Sequence, residues 1–241
     1  MPDALLEVQG VRKRFGGFMA LNGVTLEVRE GERFGLIGPN GSGKTTLINC
    51  ISGSLAADGG RIVFGGVDVT TLAAHRRTRL GIVRSFQIPK PFMSMTVLEN
   101  LHIPLEYAAH ARSVGGETAG EAAGILRDIG LEAKAHLRPS ALTQIEMRKL
   151  ELARALAAQP RLLISDEAMA GLSSAEVDDI LAILFRLNAK GITIIMIEHI
   201  MRAVMRFSER IVVLDAGDRI AEGTPEEIVR NPAVEKAYLG E

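Results

Sequence analysis

An α/β fold with a mainly parallel sheet, an antiparallel β lobe and a helical lobe is predicted by three observations. Short apolar runs of strand character crowd the beginning of the chain, the middle has helical composition, and the later part alternates apolar runs with helical segments. Alternation of that kind predicts parallel strands covered on both faces, because each crossover lays a helix on the sheet.

Taken in order, Leu6 to Gln9, Val24 to Arg29, Arg33 to Gly38 and Arg61 to Phe64 read as strands, with Gly16-Gly17 and Gly59-Gly60 as turns between them. A helix is expected to open at Thr45. Farther on, Thr96 to Tyr107, roughly Glu121 to Ile129, and Glu146 to Ala158 suit helices through their Ala, Leu, Glu and Arg content and apolar spacing. Residues of about 90–157 are therefore expected to form a helical lobe inserted in the core, with 108–120 as a loose connector. Arg161 to Ser165, Ile192 to Ile197 and Ile211 to Leu214 read as strands, with Ser174 to Asn188 and Ile200 to Phe207 as the helices between them. A hairpin at Asp215-Ala216-Gly217-Asp218 and two short helices complete the chain.

The 241 residues suit one elaborated domain, 1–241, with a sizeable core. Lys plus Arg total 28 against 29 for Asp plus Glu, and this balance removes nucleic acid as the default partner. Aromatics at 4%, with no Trp, leave little for stacking unpaired bases. No run approaches the ~18 apolar residues of a membrane span. The start, Met1-Pro2-Asp3-Ala4, lacks the positive charge of a secretory leader, and Cys50 is the only cysteine, so no internal disulfide forms and the cytosol is the expected compartment.

The sharpest chemical signal is Gly38-Pro39-Asn40-Gly41-Ser42-Gly43-Lys44-Thr45, which has the spacing G-x-x-x-x-G-K-[ST] between an apolar strand and a helix. Glycines let the backbone curl so that successive N–H groups face phosphate oxygens, and the helix N-terminus adds its positive end. Lys44 would reach the β- and γ-phosphates of a nucleotide, the Thr45 hydroxyl would bind Mg²⁺, and Thr46 extends the phosphate-binding run. A second acidic element, Asp166-Glu167, ends the run Leu162-Leu163-Ile164-Ser165. Asp166 would hold Mg²⁺ through water while Glu167 polarises the attacking water as general base. His199 ends the next apolar strand and emerges at the same sheet edge, where an imidazole can sense a phosphate or orient water. His75, His102, His110 and His136 show no metal-ligand spacing.

In that order, from about Leu6 to Gly240, these residues resemble the ATP-binding subunits of ABC transporters. The resemblance implies that Phe15 stacks on adenine and that Gln87, in Arg84-Ser85-Phe86-Gln87, contacts Mg²⁺ and the permease. It also makes Asp166 the metal-binding aspartate, Glu167 the catalytic glutamate and His199 the switch histidine. Arg84 to Gln87, Met95 to Leu101, and the tail from Glu222 to Gly240 look like branched-chain amino-acid importers, with lipopolysaccharide-export ATPases as close relatives. Two departures stand out. Ser173 replaces the family's D-loop aspartate, and the signature Leu-Ser-Gly-Gly-Gln reads Leu142-Thr143-Gln144-Ile145-Glu146.

The resemblance implies an ATPase that works as a cytoplasmic subunit on the inner face of the membrane, bound to permease subunits and indirectly served by a substrate-binding protein. Two ATPase subunits would clamp ATP between the P-loop of one and the signature of the other, driving the permease between its states. Thr143-Gln144-Ile145-Glu146 has the form of a capping box, which would satisfy internally the N–H groups that the family offers to the opposite nucleotide. A different ATPase subunit with an intact signature is therefore the favoured partner over a second copy. Phe92, Met93 and Met95 form the expected permease-facing patch with Gln87. A weakly hydrolysing regulatory subunit is the second reading. Net charge and length argue against a soluble relative acting on DNA or ribosomes.

Overall fold

The computed structural model describes residues 4–85, 89–109 and 118–239. Its first sheet is antiparallel. β1 (Ala4–Phe15) and β2 (Phe18–Arg29) form a hairpin in which Phe15 faces Phe18 across Gly16 and Gly17. β3 (Arg33–Ile37) leaves for the second sheet, and β4 (Gly59–Phe64) and β5 (Val67–Asp68) complete the order β2-β1-β4-β5. A register shift between Val8 and Val11 lets Leu6, Val8 and Val11 all reach the core. Gly59-Gly60, expected as a turn, instead opens β4. Gly60 lies at φ +87°, and a Cβ there would fall 2.4 Å from the Gly10 carbonyl oxygen, so this glycine serves close strand approach.

The second sheet joins β3 to β6 (Ile82–Ser85), β7 (Leu162–Asp166), β8 (Thr193–Ile197), β9 (Arg210–Asp215) and β10 (Asp218–Gly223) in the order β10-β9-β3-β8-β7-β6. Its pairs are parallel except the β9–β10 hairpin, as the alternating pattern predicts. Successive side chains divide between two cores. Ile164, Ile195 and Val212 join the β lobe and α1 (Lys44–Ser52), whereas Leu163, Ile194 and Ile211 join the core made with the later helices. Each such fully buried aliphatic side chain stabilises the fold by roughly 1.5–3 kcal/mol. Both sheet faces are covered, one largely by β structure.

α2 (Ala74–Leu80) had no apolar stripe to reveal it. Its anchor is Arg77, which is 2% exposed and donates to the carbonyls of Cys50 and Ile51 at 2.6 and 2.9 Å, and to those of Leu72 and Thr70. The guanidinium thereby satisfies the end of α1. The helix expected over Thr96 to Tyr107 is observed in two parts. Thr96 and Glu99 exchange capping bonds at its start, and α3 (Glu99–Pro104) then widens into a π-helical turn over Leu105–Ala109. Pro104 lacks the N–H that a regular helix needs, which accounts for the change in winding. α4 (Thr118–Ile129) and α5 (Gln144–Ala157) complete this region, followed by α6 (Ser174–Ala189), α7 (Met201–Phe207), α8 (Pro225–Val229) and α9 (Pro232–Leu239).

Candidate functional site

β3 delivers the chain into the P-loop, which turns through Gly38 to Gly43 and enters α1. Two glycines there are sterically required. A Cβ on Gly38 would lie 2.0 Å from the Leu214 carbonyl oxygen, and Gly43, at φ +103°, would bring one within 2.6 Å of the Ala20 carbonyl oxygen. Gly217 in the β9–β10 turn donates to the Ser42 carbonyl at 3.1 Å, bracing the loop from outside. α1 has no side-chain cap and no acid in its first turn, so its leading N–H groups and positive end suit an anion. Lys44 folds across the loop, its Nζ 2.7 Å from the Gly38 carbonyl, 3.0 Å from that of Pro39 and 3.3 Å from Ser42 Oγ. Burial pulls its ammonium below the usual lysine range, and the charges of Glu167 and Asp166 oppose that effect.

Across from the loop, β7 ends in Asp166, which is 6% exposed. Arg84 on β6 donates to Asp166 Oδ2 from Nη2 at 2.5 Å and Nε at 3.1 Å, and to Asn49 Oδ1 of α1 at 2.6 Å. One guanidinium thus ties two strands to the P-loop helix. Glu167 follows with φ +48°, a left-handed backbone uncommon outside glycine, and its N–H donates to the Ile197 carbonyl at 2.9 Å. Its Oε1 lies 2.9 Å from His199 Nε2. An ionised carboxylate only accepts, so Nε2 carries the proton in this contact. Glu198, immediately before His199, is 3% exposed, and burial pushes its carboxyl up to about 7, helped by the nearby charges of Glu167 and Asp166.

These elements open onto one cleft of about 230 Å³, lined by residues 40–46 together with Phe15, Phe18, Ala20, Glu167 and His199. Gly38, Pro39 and Asp166 sit outside that lining, and Gln87 lies outside the described residues. Sequence reasoning missed Phe18, 59% exposed, although its pairing with Phe15 across a two-glycine turn is a hairpin signal. Arg84 and Glu198 also went unassigned, because strand patterning alone does not say which neighbours meet. Among the described residues no three His, Cys, Asp or Glu side chains gather to hold a metal. The Thr45 hydroxyl and Asp166 carboxylate are hard oxygen donors, which suits Mg²⁺ bound jointly with nucleotide phosphates.

The altered signature segment forms the expected capping box at the start of α5. Glu146 N–H donates to Thr143 Oγ1 at 3.4 Å, and Thr143 N–H donates to Glu146 Oε2 at 2.9 Å. Two features were not foreseen. Lys134 pairs with Glu146 at 2.6 Å and holds its carboxyl below the usual range, so the carboxylate is not a bare charge. Ile145 packs against the helical core while remaining partly exposed.

Fold and site together define a P-loop protein of the nucleotide-binding class, with a phosphate loop, a strand-end acidic pair and a histidine around one cleft. Residues 21–170 match the ABC transporter family, and residues 219–241 match the branched-chain amino acid ATP-binding cassette transporter family. The chain belongs to the ABC transporter family and is an ABC-type transport ATPase. It is 39% identical over its full length and that of the relative to the high-affinity branched-chain amino acid transport ATP-binding protein BraF of Pseudomonas aeruginosa. It is 40% identical, again with both chains fully covered, to the corresponding protein LivG of Escherichia coli K12. A nucleotide-free ATP-binding cassette from an ABC transporter superposes with a TM-score of 0.89 at 35% identity, covering 99% of this chain and 100% of the other. The dimeric bacterial cassette MJ0796 superposes at 0.81 with 27% identity, covering 91% and 98%. Membrane permease partners and dimerisation follow from membership of this family. Among the described residues, no helix is long and apolar enough to cross a membrane.

Proposed function

We propose that this chain is the ATP-hydrolysing subunit of an importer for branched-chain or related amino acids, attached to permease subunits at the cytoplasmic face of the membrane. A substrate-binding protein would deliver the solute to the permease. The observation that carries the chemistry is the 2.9 Å contact between Glu167 and His199 on the cleft that also exposes the P-loop. Lys44 turns from the Gly38 and Pro39 carbonyls to the β- and γ-phosphates, replacing neutral acceptors with charged ones. Phe15 and Phe18 supply an apolar platform for the base. Thr45, Asp166 and Gln87 would hold Mg²⁺ together with the nucleotide phosphates. When bound, Mg²⁺ supplies charge neutralisation for the transferred phosphoryl group. Glu167 accepts the proton of the attacking water, and His199, donating through Nε2, keeps that carboxylate oriented.

The capping box supports pairing with a different ATPase subunit. Its Thr143 and Glu146 N–H groups are occupied within the chain, and an anion approaching from a partner would have to displace both bonds. Lys44 and Glu167 here would build the competent site, with Thr143 to Glu146 lining the weaker one. The permease surface is supported by the exposed rings of Phe92 (40%) and Tyr107 (65%), which flank a cavity of about 320 Å³ floored by Ile103, Pro104 and Ala155. Met93 is exposed beside it, and Met95 is half-buried.

The test is to measure ATP affinity and single-turnover hydrolysis for Lys44→Ala and Glu167→Gln. Lys44→Ala is expected to lose useful binding, whereas Glu167→Gln keeps it and loses about 10²–10⁴ in rate. Normal hydrolysis by the Glu167 variant would remove it as the base.

A further inference from the structure

Two contacts tie the left-handed turn that carries Glu167 to the end of β8 and the segment after it. The Glu167 N–H is fixed to Ile197 at the end of β8. Two residues on, the Met169 N–H donates to Glu198 Oε1 at 2.8 Å, and this bond is buried. Glu198 itself directly precedes His199 in the segment that follows β8. Met169 is fully buried and Ala168 nearly so, which leaves water little access to replace those bonds. A non-glycine residue at positive φ costs of order 1 kcal/mol or more and persists only where its surroundings enforce it. Glu198 is the side chain that straps the turn after Glu167 to the segment bearing His199.

We propose that Glu198 is a positioning residue for hydrolysis: by accepting the Met169 N–H from the segment that bears His199, it holds Glu167 and His199 in register at 2.9 Å. Its carboxylate is 3% exposed and is engaged by the Met169 N–H in a buried bond, on the backbone side of the turn. What the position requires is an acceptor at a fixed reach, and its charge is secondary. Glutamine keeps the length and one carbonyl oxygen, whereas aspartate keeps the charge and withdraws the acceptor by one methylene. The two substitutions therefore separate reach from charge.

This inference rests on Glu167 being the base, and the experiment includes Glu167→Gln so that the two can fail separately. Single-turnover ATP hydrolysis is measured in the assembled transporter, with affinity for a fluorescent ATP analogue measured on each purified chain. Glu198→Gln should keep the rate within about threefold, and Glu198→Asp should lose about tenfold or more, both with nucleotide affinity unchanged within about twofold, a tenfold loss corresponding to about 1.4 kcal/mol in the barrier. A fully active Glu198→Asp chain beside an inactive Glu167→Gln chain overturns the positioning role. So does a Glu198→Gln rate as low as that of the aspartate variant, or a loss of affinity in step with rate. An active Glu167→Gln chain overturns the assignment of the base itself.

Discussion

Replacing Glu198 with glutamine removes a carboxylate that the fold buries beside two others. In the native chain burial, reinforced by Glu167 and Asp166, raises its pKa from 4.5 to about 7. Between those values the folded state holds a proton that the unfolded state has released, so stability falls as pH rises. The contribution is unperturbed below the unfolded value and fully lost above the folded one. At about 1.36 kcal/mol per pH unit the whole loss is about 3 kcal/mol, and roughly 2 to 3 kcal/mol of it falls between pH 5 and pH 8.5. Glutamine does not titrate. Urea unfolding of wild type and Glu198→Gln at those two pH values should show the variant gaining that amount relative to wild type on going to the higher pH. The double difference cancels groups that titrate alike in both chains, and any constant cost of the amide cancels too. A difference below about 0.5 kcal/mol would refute the reasoning that this carboxylate is desolvated in the folded chain.

Two further outcomes follow from the same packing. Arg77→Met keeps an apolar stem but strips the donors from four carbonyls, two of them ending α1, and urea unfolding should show a loss of about 3 kcal/mol or more. Ile145→Gly with Glu146→Gln opens the signature turn and should raise ATP hydrolysis by the isolated chain, at a stability cost of about 1–2 kcal/mol from weakened capping and lost packing. Vigorous hydrolysis by the wild-type chain alone would refute the asymmetric pairing.

Apart from β5, α2 and β6, the strand and helix order from Leu6 to Phe207 was legible because burial imposes its own period on each segment. β7 and β8 carry the buried apolar runs Leu162 to Ile164 and Ile194 to Ile197, and α6 repeats its buried residues at helical spacing from Val177 to Leu187. α2 was not legible because its stability comes from one arginine and backbone carbonyls distant in sequence. The split at Pro104 was visible in principle, since the ring removes a helical donor, but the strong apolar spacing around it masked the break.

For the site, sequence by itself determined the phosphate loop, since the spacing from Gly38 to Thr45 is a local backbone requirement that any fold presenting it must meet. It also determined Asp166, Glu167 and His199 as strand-end residues, and the Thr143–Glu146 capping box, whose two bonds span three residues. Tertiary structure alone decided that Glu167 meets His199, that Arg84 ties Asp166 to Asn49, that Phe18 joins Phe15, and that Lys134 neutralises Glu146. The physical reason is distance along the chain. Local bonds are written in short patterns of residue type, whereas contacts such as Arg84 with Asp166 form only after parallel pairing of β6 with β7 has set which side chains become neighbours.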